Sequence, residues 1–114
     1  VFPSDLELLR HIYDEVDFIL KTISGKSKDE LVTDPILSRA VIRSLEIVGE
    51  AATKISDEFK ATYPHIEWRK MSATRNRLIH DYFGVDYDII WSIIETKLPD
   101  LKDNIADIFD SEKL

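Results

Sequence analysis

Apolar side chains return at three- and four-residue steps along nearly the whole chain, and that period decides what it can fold into. Leu6, Leu9, Ile12, Val16, Ile19 and Ile23 share one helical face, so the spacing predicts an amphipathic helix from about Ser4 to Ser24, capped by Ser4 and ended by Gly25. The polar run from Lys26 to Glu30 reads as a loop. Asp34-Pro35 pairs a capping residue with a first-turn proline, and Leu37, Val41, Leu45, Val48, Ala52, Ile55 and Phe59 carry a long second helix forward. Tyr63-Pro64 interrupts it. A third helix is expected over 66–83, stopping at Gly84, and a fourth with Ile89, Ile90, Ile93 and Ile94 behind a cap at Asp86 or Asp88. Pro99 marks a break or first-turn position before a fifth carrying Leu101, Ile105, Ile108 and Phe109. No stretch alternates with period two. The expected fold is therefore all-α, an antiparallel up-and-down bundle of four to five helices, with residues 1–114 as a single domain.

At 114 residues such a chain buries about two-thirds of its unfolded surface, enough for one modest core. It contains no Cys, so disulfides, thiolate nucleophiles and Cys-ligated zinc are all excluded, which fits a reducing compartment. No apolar run approaches the length that crosses a bilayer, and the first residues lack the basic start and apolar stretch of a signal peptide; a cytoplasmic protein without membrane contact is expected. The net charge of −7 argues against coating nucleic acid through a broad basic face. Its distribution is uneven. Between His65 and Phe83 four basic residues (Arg69, Lys70, Arg75, Arg77) face two acids, whereas Gly84 to Leu114 holds eight acids against three lysines. That pattern suits a focused cationic site, and equally the solvated faces of mixed-sign helices.

The third helix carries the unusual chemistry. With residues at 100° steps, Trp68, Met71, Leu78, Ile79 and Tyr82 all lie within about 60° of Arg75, so a guanidinium stands in the middle of an apolar stripe. It stays charged at neutral pH and needs a carboxylate, carbonyls, a second subunit or a bound anion. An internal salt bridge to Glu46 or Glu50 of the long helix meets that need as well as a substrate phosphate does. His80 lies about 140° further round, on a flank with Asn76, so one straight helix does not bring the two groups together. On residue chemistry alone His80 reads more readily as a surface or hydrogen-bonded histidine than as a catalyst, and Tyr82 as a packing residue whose hydroxyl finds a partner. His11, His65 and His80 are too scattered for a metal site, and neither a phosphate loop nor a nucleophile elbow is present.

At these residues the sequence resembles the HepT-like branch of the HEPN superfamily, whose signature is an Arg, four residues, a His, one residue and a Tyr. Arg75, His80 and Tyr82 occupy those places, and Asn76 matches the polar residue that commonly follows the Arg. The segments V-I-R-S-L-E-I-V-G-E-A-A, Y-P-H-I-E-W-R-K, D-Y-F-G-V-D-Y and L-P-D-L-K extend the likeness over most of the chain; Ala73-Thr74 departs from it, where relatives often have Gly and a larger apolar residue. The resemblance implies a HEPN-like fold and a metal-independent endoribonuclease with no cofactor, the toxin of a type VII toxin–antitoxin pair. It implies a homodimer in which Arg75 and His80 are catalytic and Asn76 supports them. Its antitoxin would be a minimal nucleotidyltransferase of the MntA type that silences the toxin by adenylylating Tyr82. The alternatives are a non-catalytic dimeric module that binds a nucleotidyltransferase or a nucleotide, and a purely structural bundle with Arg75 in a salt bridge.

Overall fold

The structure is a computed structural model that describes residues 3–80 and 84–113. Helix α1 spans Asp5–Ile23, α2 Lys28–Thr33, α3 Pro35–Lys54, α4 Asp57–Thr62, α5 Trp68–His80, α6 Tyr87–Thr96 and α7 Leu98–Glu112, and there is no strand among the described residues. The all-α class is as the periodicity predicts. The count is not: among the described residues there are seven helices where four to five are expected.

Both additional helices begin at a serine. The expected loop after Gly25 contains α2, because the Ser27 hydroxyl oxygen accepts from the Glu30 backbone N–H at 3.1 Å as an N-cap and the hydroxyl also donates to the Glu30 carboxylate at 3.4 Å. The long second helix does not reach Phe59; it ends at Lys54. Ser56 then caps the short α4, and Asp5 at the start of α1 fixes that joint by accepting from the Ser56 N–H at 2.9 Å and hydroxyl at 2.7 Å. Elsewhere the local signals act as expected. Gly25 takes the left-handed φ of 75° behind α1, Asp86 rather than Asp88 caps α6, and Pro99 sits in the first turn of α7.

Helix α3 is the centre of the molecule. It packs against α1 on one side and α5 on the other, while α7 closes over α1 and α6 lies against α7. Leu9, Ile12, Ile19, Val41, Ile105 and Ile108 are essentially sealed from solvent, each contributing about 1.5–3 kcal/mol of burial. Among the described residues the two buried polar side chains are both serines of α3, and the hydroxyl of Ser38 pairs with that of Tyr87 at 2.6 Å. Helix α5 is held more lightly. Trp68 and Leu78 are its buried residues, with the Trp68 indole N–H donating to the Tyr63 carbonyl at 3.0 Å. Ile79, placed on the apolar stripe by its spacing, is exposed. The motif helix therefore depends on its contact with α3.

Candidate functional site

That contact is tightest at Gly49. A β-carbon there would come within 2.1 Å of the Arg75 Cβ and 2.6 Å of the Met71 carbonyl oxygen, so only a residue without a side chain lets α5 approach this closely. Arg75 rests its aliphatic stem on the bare backbone and sends its guanidinium along α3. Nη2 meets the Glu50 carboxylate at 2.6 Å, and Nη1 donates to the Asn76 side-chain oxygen at 2.8 Å. Nε is buried without a partner. Of the five donors of the fork, those left for a ligand are the second N–H of each terminal nitrogen.

Of the two carboxylates that spacing offered to Arg75, the structure selects Glu50, while Glu46 pairs with Arg43 at 3.4 Å. Asn76, one helical turn before His80, holds Arg75 directly through its side-chain oxygen. His80 is the last residue of α5, exposed and without a hydrogen-bond partner among the described residues. It does not line the groove that contains Arg75. Within one subunit the two groups are thus displayed in different directions, as the 140° offset requires. Tyr82 lies outside the described residues.

The cationic character of this stretch is largely spent inside the fold. Lys70 lies 2.6 Å from Glu67, and Lys97 of the neighbouring α6–α7 corner lies 3.1 Å from the same carboxylate. Hydrogen bonds from Lys70 and then Lys97 hold the Glu67 carboxyl below the usual range. Arg77 is engaged as well. The local excess of charge is therefore a poor guide to the free cations of the surface.

Arg75 opens onto a groove of about 470 Å³ floored by α3, with His11 of α1 on one wall and Ile79 of α5 on the other. A cavity of about 480 Å³ bordered by α5, α6 and α7 is lined by Met71, Leu78, Ile89 and Ile93 and holds neither Arg75 nor His80. No cluster of three or more metal-ligating side chains occurs among the described residues. Nor is any helix there long and apolar enough to cross a membrane.

Residues 12–108 match the family described as "Ribonuclease HepT-like". The chain belongs to the HepT-like ribonuclease family. A protein of Caldanaerobacter subterraneus subsp. tengcongensis named "Putative RNase" is 40% identical over 105 residues, covering 92% of this chain and 94% of the relative. One of Methanocaldococcus jannaschii with the same designation is 39% identical over 98 residues, 85% of this chain and 78% of its own. A Thermococcus cleftensis protein named "Probable ribonuclease HepT" is 36% identical over 99 residues, 87% and 90% of the two chains. No solved structure matches the chain. Of the two α3 residues that cradle the motif Arg in this HepT-like chain, Glu50 is one of the carboxylates that residue chemistry offers, whereas Gly49 is not singled out by it. The available signal was a glycine placed inside an otherwise strong helix-forming run.

Proposed function

We propose that this HepT-like chain is a single-domain, cytoplasmic endoribonuclease toxin that cleaves RNA without metal or cofactor at a site shared by two subunits. The observation that carries the reading is the division of labour on α5. Arg75 is clamped to α3 with donors to spare, and His80 stands exposed at the helix end with no hydrogen-bond partner among the described residues. One subunit supplies one His80, whereas cleavage through the ribose 2′-hydroxyl uses a base and an acid. A two-fold axis between the α5 ends supplies the second.

In that dimer one His80 takes the proton of the 2′-hydroxyl as its oxygen attacks phosphorus. The partner's His80 protonates the 5′-oxygen as the P–O5′ bond breaks, leaving a 2′,3′-cyclic phosphate and a 5′-hydroxyl. Each proton transfer is worth on the order of 10²–10⁴ in rate. The spare Nη–H donors of the two Arg75 side chains stabilise the charge that builds on the non-bridging oxygens. Control comes from a minimal nucleotidyltransferase of the MntA type. The Tyr82 hydroxyl attacks the α-phosphorus of ATP, pyrophosphate leaves, and the anionic adenylyl group repels the RNA phosphate beside it.

The test is cleavage of single-stranded RNA by purified protein in EDTA. The wild type is expected to cleave, and Arg75→Ala and His80→Ala to lose cleavage while keeping their helical circular dichroism. Undiminished cleavage by His80→Ala overturns the assignment. A second reading, a dimeric module that binds a nucleotidyltransferase or a nucleotide without turnover, is favoured by the net charge of −7 and by the internal pairing of Arg75. Binding of RNA or nucleotide by a wild type that never cleaves would establish it.

A further inference from the structure

The groove that holds Arg75 does not end there. It shares Arg43, Glu46 and Ile79 with a second groove of about 770 Å³, which continues along α3 past Arg39 to Tyr87. The charged lining of the two is four permanent cations (Arg39, Arg43, Lys54, Arg75) against two carboxylates (Glu46, Glu50), with His11 in addition. In a chain with 22 acidic and 15 basic residues, that excess of cations along one continuous trough is against the trend of the whole. We propose that this α3 trough seats the RNA backbone beside the scissile phosphate, with Arg39, Arg43 and His11 as its phosphate and ribose contacts. The proposal rests on RNA being the substrate and adds where the strand runs.

Availability of the donors is the argument. Arg39 is exposed and has no carboxylate paired to it among the described residues. Arg43 meets Glu46 at 3.4 Å across one turn of α3, with 72% of its side chain exposed. Such a surface pair is held by little free energy, so Arg43 exchanges Glu46 for a phosphate readily. His11 reaches the same groove from α1 and makes no hydrogen bond to another described residue. Arg39 and Arg43 are one turn apart on the same face of α3, about 6 Å along its axis, and Glu50, which holds Arg75, lies about 10 Å further along the same helix. All three arginines line the joined grooves.

The experiment measures binding of a single-stranded RNA oligonucleotide with 2′-O-methyl groups, which cannot be cleaved, by wild type, Arg39→Ala, Arg43→Ala, His11→Ala and the double variant Arg39→Ala/Arg43→Ala. Lys113→Ala serves as a control for loss of a distant charge. Each trough variant is expected to bind several-fold more weakly, the double variant more so, and the slope of log K against log salt to shrink by about 0.7 per lost phosphate contact. On a cleavable RNA the same variants raise KM much more than they lower kcat. Binding and salt slope equal to the wild type in the double variant overturn the proposal. So does a shifted sedimentation profile with RNA binding intact, which would make the trough a protein interface. A wild type that binds but does not cleave refutes ribonuclease activity and leaves the trough measurable by binding.

Discussion

The Nη2 of Arg75 lies 2.6 Å from the Oε2 of Glu50, and the residue before Glu50 is the glycine on which the arginine's own Cβ rests. The motif arginine is thus built by two helices far apart in sequence. α5 supplies the guanidinium, and α3 supplies both its seat and its orientation. The pair is partly exposed, 29% for Arg75 and 43% for Glu50, so its value lies in direction more than in stability.

Glu50→Gln and Glu50→Ala separate these contributions. Gln keeps an oxygen that accepts from Nη2 and is expected to retain most RNA cleavage. Ala leaves the fork free to swing, and kcat is expected to fall about tenfold, the equivalent of about 1.4 kcal/mol. Stability, measured by urea unfolding, should drop by only about 1 kcal/mol or less. Equal activity of both variants and wild type would show that Glu50 does not orient Arg75.

Gly49→Ala sets two effects against each other. Alanine favours a helix interior over glycine by about 1 kcal/mol. The new methyl would meet the Arg75 Cβ at 2.1 Å and the Met71 carbonyl at 2.6 Å, and neither backbone nor Cβ is free to step aside. Overpacking of this kind costs about 1–3 kcal/mol. The variant is therefore expected to have a lower Tm, with α5 displaced and cleavage reduced. A raised Tm with unchanged activity would mean that the two helices separate without cost.

How far these relationships can be seen in the sequence follows from their range. The helical class and the stripes of α1, α3 and α7 repeat locally, so the spacing of residues such as Ile12, Val16 and Ile19 is enough. The helices α2 and α4 are too short to show a stripe, and their signal is a serine cap; the S-K-D-E run at Ser27 was legible in principle and outweighed by the polarity around it. The resemblance carried by Arg75, His80 and Tyr82 leads to the family. The choice of Glu50 over Glu46, the seat at Gly49 and the entry of His11 and Arg43 into one trough depend on how three helices cross, which no local pattern encodes.

Two carboxylates outside the site are expected to contribute to the response to acid. Hydrogen bonds from Lys21 and then Lys102 hold the Asp17 carboxyl below its ordinary value, and Lys70 and Lys97 do the same for Glu67. A carboxyl whose folded pKa is depressed contributes its full stabilisation above the unfolded value, about 4, and loses it as pH falls through the folded value. The urea midpoint is expected to be flat from about pH 7 to 5 and to decline below about pH 4. Asp17→Asn and Glu67→Gln should lower the plateau and flatten the acid decline. A decline of unchanged steepness in both variants would assign the acid sensitivity to other groups.

The shared site makes a quantitative demand on subunit mixtures. If each cleavage uses the His80 of both subunits, a dimer containing one His80→Ala chain is inactive. Wild type and variant are co-refolded at equal amounts so that subunits assort at random. Activity per total dimer should then fall to about a quarter of the wild-type value, because only dimers with two intact chains work. If one His80 serves alone, activity falls to about half. The exposed position of His80 at the end of α5, away from the Arg75 groove of its own chain, favours the first outcome. A linear dependence of activity on the wild-type fraction would remove the second imidazole from the mechanism and return the search for the acid to groups of a single chain, with His11 the histidine that lines the Arg75 groove.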